Sequence, residues 1–345
     1  CPDCPNACEI NEVVIEGDML YYADLASAGS FEIRKTGHHP RSSCDTPGMA
    51  IGLCTSGSLV FIADNGAGLQ IIDAATTLSP SIIGTHEAPG SATAVAVSGN
   101  TAYVVDRLRG LLIFDVSDPT SPTFLTAYDG VSNMTDVCAS GSLVFIGGDE
   151  FAILDASDPP SPQVLAFWSH KSPGVHVAGN LAYLATGYQG MRIYDVTDPS
   201  SPTLVCSTYL DIGSSNDRIH VSGGTAYLLQ SSPDRLRLVD VTEPTTPVVM
   251  GKFDYGPLTG VDAAGDQIFV SEDNGLWILD ASNPWYPSST QTYGTPGRAK
   301  DIVVWNNLAF IADSDEGLYI LNLRTADVSP IYPPVPGGRF IPPAR

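Results

Sequence analysis

The chain has 345 residues, 43% of them hydrophobic and 16% charged, which is apolar enough to build a core and excludes a disordered acidic polymer. Its formal charge is −22, from 38 acidic against 16 basic residues, and that sign argues against nucleic acid as a partner. No apolar run approaches the ~20 residues needed to cross a bilayer as a helix, so no transmembrane segment is expected.

Residues 1–8, CPDCPNAC, are dense in cysteine and proline. A chain that starts at a cysteine is what removal of a signal peptide leaves, and Cys1 is then a candidate for lipidation and a lipid anchor. In an exported protein Cys4, Cys8 and Cys44 are candidate disulfide partners stapling the terminus. A zinc knuckle is the rival reading, from the Cys-x-x-Cys spacing of Cys1 and Cys4, but a second matching pair is missing. Seven cysteines leave at least one unpaired, lipidated or linked to another chain. Cys54 and Cys138 occupy matching places in GLCTSGS and DVCASGS and read as small buried apolar residues.

Residues 9–36 carry an imperfect first unit, VVIEGD, MLYYAD and FEIRKTG, and residues 37–48 read as a loop. From there one pattern recurs, seen at its clearest in ATAVAVSGN, TAYVVD, GLLIFDVSDPTSP and TFLTAYD. The aspartate that closes the third run falls at Asp73, Asp115, Asp155, Asp195, Asp240 and Asp280, with Asn322 in the last unit. Successive spacings are 42, 40, 40, 45, 40 and 42 residues, too regular for chance. The Ser/Ala-Gly-Asn/Ser/Gly/Asp steps are two-residue hairpin signals, because glycine and asparagine supply the positive φ such turns need. Four short strands per unit, with no helical period, predict an all-β fold. We expect a single β-propeller of four-stranded blades, eight by first reading and seven as the alternative if the incomplete first and last units merge. The propeller is expected over 9–323, closed by the segment around Glu9–Val14 or by the Pro/Gly-rich tail 324–345.

The runs GLLIFDVSDPTSP, GMRIYDVTDPSSP and GLQIIDAATTLSP resemble the LVIVD repeat of secreted bacterial and archaeal propeller proteins, over roughly residues 50–323. The resemblance implies a surface-located propeller, and no general catalytic activity travels with the repeat.

The repeated aspartate before the proline turn reads as structural, since a carboxylate at a strand end accepts hydrogen bonds from the following N–H groups. The connector between second and third strands differs from unit to unit and is where function is expected, at Asp106 for example. Its acids Asp64, Glu272, Asp273, Asp313 and Asp315 read first as solvated acidic loops with no cofactor, and the alternative is a calcium site of hard oxygen ligands. His176 and His220 hold equivalent inner-strand positions in consecutive units and are expected to line a central channel. Trp285 and Tyr286 in the turn NPWYP are a candidate interaction surface. Asn133-Met134-Thr135 is a lone glycosylation sequon. Nucleophile-elbow, zinc-protease, phosphate-loop and haem-attachment motifs are absent. The expectation is a non-enzymatic extracellular or cell-surface propeller that binds protein or assembles with itself. The alternative is a hydrolase or lyase with its site at the channel mouth.

Overall fold

In the computed structural model the described residues are 13–16, 19–26, 30–36, 41–77, 79–88, 90–209, 215–232 and 234–323. The chain forms two compact units, one of residues 1–39 with 325–345 and one of residues 40–324. In the first, β1 (Val13–Glu16), β2 (Met19–Ala26) and β3 (Ser30–Thr36) make a three-stranded antiparallel sheet in sequence order. This is the imperfect first repeat, and it is not a propeller blade: the ring begins at residue 40 rather than 9.

The second unit contains seven four-stranded sheets. β4 (Arg41–Cys44) precedes them in sequence. Blade 1 is β5 (Gly52–Ser56), β6 (Leu59–Ala63), β7 (Leu69–Asp73) and β8 (Ser81–His86). Blade 2 is β9 (Ala92–Ser98), β10 (Thr101–Asp106), β11 (Gly110–Asp115) and β12 (Thr123–Tyr128). Blade 3 is β13 (Asp136–Ser140), β14 (Leu143–Gly147), β15 (Phe151–Asp155) and β16 (Gln163–Trp168). Blade 4 is β17 (Gly174–Ala178), β18 (Leu181–Ala185), β19 (Met191–Asp195) and β20 (Thr203–Thr208), with a single 3₁₀ turn at Gly187–Gln189. Blade 5 is β21 (Ser215–Ser222), β22 (Thr225–Ser232), β23 (Asp234–Asp240) and β24 (Val248–Phe253). Blade 6 is β25 (Leu258–Ala264), β26 (Gln267–Glu272), β27 (Gly275–Asp280) and β28 (Ser288–Gly294). Blade 7 takes β29 (Asp301–Trp305), β30 (Leu308–Ala312) and β31 (Leu318–Asn322) and completes itself with β4.

Seven blades, not eight, is therefore the architecture, and the closing strand is neither of the two expected. β4 pairs antiparallel with β31, from Leu318 opposite Cys44 to Leu321 opposite Arg41. The segment read as a loop supplies the outer strand that the last repeat lacks. Closure is also apolar. A buried cluster lies at each of the seven blade interfaces, and one of them packs Phe310, Leu318 and Ile320 of blade 7 against Val60, Ile62 and Ile72 of blade 1. Each such fully buried side chain contributes roughly 1.5–3 kcal/mol, so an open ring would expose a whole interface as well as two strand edges.

Local chemistry explains the repeat. The first hairpin of blades 1–6 turns on Gly57, Gly99, Gly141, Gly179, Gly223 and Gly265, all with φ between 56° and 62°, and blade 7 uses Asn306 and Asn307 at 53° and 61°. The closing aspartates behave as the sequence predicts. Asp115 Oδ1 accepts the Ser117 N–H at 2.8 Å, and Asp73, Asp155, Asp195, Asp240 and Asp280 repeat the bond two residues on. In blades 1–6 a β-bulge follows between the third and outermost strands, which twists the exposed edge and discourages edge-to-edge pairing. The proline turn then docks on the preceding blade. A Cβ on Gly84 of β8 would lie 2.0 Å from the Pro119 carbonyl oxygen, and one on Gly251 of β24 would lie 2.3 Å from that of Pro284.

Candidate functional site: the central channel

The inner strands β5, β9, β13, β17, β21, β25 and β29 surround the channel, and their register decides its lining. Counted back from the hairpin glycine (Asn306 in blade 7), the fifth residue in blades 1–7 is Gly52, Ala94, Asp136, Gly174, Arg218, Gly260 and Asp301. The third is Cys54, Ala96, Cys138, His176, His220, Asp262 and Val303. Two residues apart on a strand, both rows share one face. A cavity of about 250 Å3 is lined by Asp136, Arg218 and Asp301 from the first row and His176, His220 and Asp262 from the second.

In the first row Arg218 Nη1 donates to Asp301 Oδ1 at 3.0 Å, linking blade 5 to blade 7 across blade 6. The blade 6 residue in this row is Gly260, and a Cβ there would sit 2.8 Å from Asp301 Oδ1, so glycine is what lets the pair meet. Asp301 Oδ2 accepts the Leu53 N–H of blade 1 at 3.2 Å. Asp136 Oδ2 accepts the Val175 N–H of blade 4 at 2.9 Å. Burial raises both carboxyls, Asp136 to about 6, against the Val175 hydrogen bond and the Arg218 charge for Asp136 and against the Arg218 charge for Asp301.

In the second row the rings of His176 and His220 stand edge to face, with centroids 4.8 Å apart. His220 Nε2 lies 3.1 Å from Asp262 Oδ1, and Asp262 Oδ2 accepts the Val304 N–H of blade 7 at 2.6 Å. Burial pushes His176 down to about 3, with the neighbouring His220 adding to it, and His220 down to about 4. Burial pushes Asp262 up to about 6. At neutral pH both imidazoles are uncharged and Asp262 is ionised, so His220 donates to it.

Three channel aspartates thus perform one task. Asp136, Asp262 and Asp301 each take a backbone N–H from the next blade, and the last bond crosses the ring closure. Among the described residues no group of three His, Cys, Asp or Glu side chains is arranged to hold a metal.

Among the described residues the connector acids form no metal-holding group. Asp64, Asp106 and Asp313 are buried, at 0–1% exposure. Asp64 accepts from Thr46 Oγ1 at 2.8 Å and from the Gly48 N–H at 2.9 Å, and Asp313 accepts from the Gly297 N–H at 2.8 Å. They pin the loop that enters the blade. Burial raises Asp64 against its Thr46 and Gly48 hydrogen bonds, and raises Asp313 against the Gly297 one. Asp106, expected to mark function, instead accepts the N–H groups of Leu108 and Arg109 at 2.8 and 3.0 Å, and its Oδ2 is buried without a partner. Asp273 pairs with Lys300 Nζ at 2.8 Å, Glu272 is half-buried and Asp315 is exposed.

A signal for the pinned loops stands in the sequence: a Pro-Gly step lies sixteen residues before each of these aspartates, at Gly48, Gly90 and Gly297. Thr46 and Thr295 precede two of them by two residues, but Ala88 precedes the third, so Asp106 lacks the hydroxyl that Asp64 receives. The charges Asp136, Arg218, Asp262 and Asp301 were likewise legible once the inner strands are aligned on their hairpin glycines.

Trp285 and Tyr286 stand 52% and 80% exposed on the blade 6 turn. Cys44, Cys54, Cys138 and Cys206 carry free thiols, so Cys44 is no disulfide partner among the described residues, and Cys1, Cys4 and Cys8 lie outside them. Cys54 and Cys138 pack against the blade cores, and burial pushes their thiols up to about 12 and 11.

The LVIVD repeat family model matches this chain seven times, at residues 47–86, 89–130, 133–166, 171–209, 213–255, 256–295 and 296–328. No curated protein matches the sequence. Among solved structures, the computationally designed Ika8 protein is similar with a TM-score of 0.59 at 10% identity, over 91% of this chain and 96% of that one. BamB from Moraxella catarrhalis gives 0.57 at 15% identity, over 90% and 96%. A chain of the Mitotic Checkpoint Complex gives 0.64 at 14% identity, over 81% and 92%. At these identities the likeness is one of fold.

Proposed function

The chain belongs to the LVIVD repeat family, and from that premise we propose that it is a non-enzymatic binding module, exported to the cell surface, that holds a protein partner or a second copy of itself. The observation that carries the reading is the pair Trp285 and Tyr286, two large aromatics held in solvent on a turn whose backbone is anchored against Gly251. Aromatics in that setting offer contact area at little cost in conformational freedom. The channel is consistent with the same reading: its carboxylates Asp136, Asp262 and Asp301 are tied to backbone N–H groups of the next blade and so staple the ring. A propeller of similar fold occurs in an assembly, the Mitotic Checkpoint Complex. The acidic surface and the cysteine-rich start fit export.

Sedimentation velocity on the full chain over a hundredfold concentration range, with the Trp285→Ala/Tyr286→Ala variant beside it, tests the self-association form. A concentration-dependent larger species that the double variant loses is expected. If the parent stays monomeric throughout and the variant still captures every surface protein the parent does, the aromatic turn is not the binding surface.

A further inference from the structure

We propose that the channel mouth beside the connectors of blades 2 and 3 binds a small oxyanion, the carboxylate or phosphate group of a soluble ligand. This goes beyond the assembly reading and does not depend on it. A cavity of about 450 Å3 opens there, within the size range of small-molecule sites. Three of the 16 basic residues of this acidic chain line it: Arg107, Lys171 and Arg218.

The acids of the same wall have internal partners. Asp136 accepts the N–H groups of Val137 and Val175. Asp149 Oδ2 accepts from Asn133 Nδ2 at 2.5 Å. Asp217 lies close enough to Arg218 for its charge to act on the guanidinium. The side chains of Arg107 and Lys171, by contrast, make no hydrogen bond or ion pair among the described residues. Asp301 holds Arg218 by Nη1 and so fixes the orientation of its donor fork.

A second observation points to a ligand. Thr93 lines this cavity, is 8% exposed, and its Oγ1 is buried without a hydrogen-bond partner. An unpaired buried hydroxyl is costly unless something fills its bonding capacity. A hydroxyl, an oriented guanidinium and two unpaired cations together complement an oxyanion. The −22 charge of the whole chain repels an extended polyanion, so the ligand is small.

The test is titration of the full chain with inorganic phosphate and, separately, with succinate, at ionic strength held constant by sodium chloride, read by calorimetry and by Tm. At least one of the two is expected to bind saturably and raise Tm, and which one does so assigns the phosphate or the carboxylate class. Arg107→Ala and Lys171→Ala are each expected to weaken binding about tenfold, and Lys171→Arg to stay within about threefold. Thr93→Val is expected to weaken binding while leaving the ligand-free Tm unchanged or higher, whereas a hydroxyl with a purely structural role would lower it. The proposal is overturned if neither anion raises Tm beyond the chloride control, or if the two alanine variants bind as the parent does.

Discussion

Two sets of aspartates in this propeller make the same kind of bond and behave in opposite ways. Asp115, Asp155, Asp195, Asp240 and Asp280 sit on the outer turns, accept a backbone N–H two residues on, and are held below the usual carboxylate range by hydrogen bonds from that residue. Asp136, Asp262 and Asp301 also accept backbone N–H groups, but burial drives them above that range. The hydrogen bond is nearly constant between the sets and the solvent is not. Water around the outer set leaves the bond to stabilise the charge, whereas in the channel the loss of hydration outweighs it. The outer bonds are local, closing turns within one blade. The channel bonds join different blades, and the one from Leu53 to Asp301 crosses the closure of the ring.

The sharpest way to break that contrast is Asp301→Ala. It removes the ion-pair partner of the partly exposed Arg218 and the acceptor for Leu53 at the closure, so a loss of about 3 kcal/mol in denaturant unfolding is expected. A loss as small as that of an outer-turn variant would refute the staple role. Next in size is Gly48→Ala, whose Cβ would meet the Asp64 carbonyl oxygen at 2.2 Å and should cost about 2–3 kcal/mol by displacing the pinned loop.

Acidity separates the two kinds of buried group. Asp136 and Asp262, raised from 3.8 to about 6, contribute stability that is full below about 3.8 and lost as pH rises through 6. His176 and His220, lowered from 6.5 to about 3 and 4, contribute stability that is present above 6.5 and lost as pH falls toward those values. Between pH 6.5 and 4 the pairs oppose each other. Asp262→Asn should therefore steepen the fall of Tm on acidification, and His176→Gln should flatten it. Identical slopes in a thermal series for the two variants would contradict the assignment.

A smaller gain is expected from Ala88→Ser, which offers Asp106 the hydroxyl that Thr46 gives Asp64, at about 1 kcal/mol of added stability in the same unfolding assay. Smallest of all is Asp115→Ala, whose Tm should fall far less than that of Asp301→Ala because water replaces the lost acceptor.

Much of this was legible before the fold was known. The hairpin glycines, the Asp-then-Pro turns and their spacing of about forty residues identify the blade, because each is a local demand of the backbone that one residue type meets best. The count of blades was not legible. Residues 9–36 carry strand patterns as good as those of weak blades, yet β1–β3 stand in another unit, and the strand that completes blade 7 hides in the polar stretch around Arg41–Cys44. An outer strand needs few apolar residues, since only one of its edges is paired and half its surface faces water.

The candidate site divides along the same line. That His176 and His220 share a register was countable from sequence. That Asp106 is buried, or that Arg218 reaches Asp301 over Gly260, was not, because a carboxylate on a connector looks the same whether water or a crossing loop covers it. By itself the sequence determined the blade, its turns and the register of its inner strands, all set by contacts within about forty residues. Only the tertiary structure decided how many blades close the ring, which segment closes it and which charges are buried. Those depend on what residues hundreds of positions apart exclude from water when the first blade meets the last.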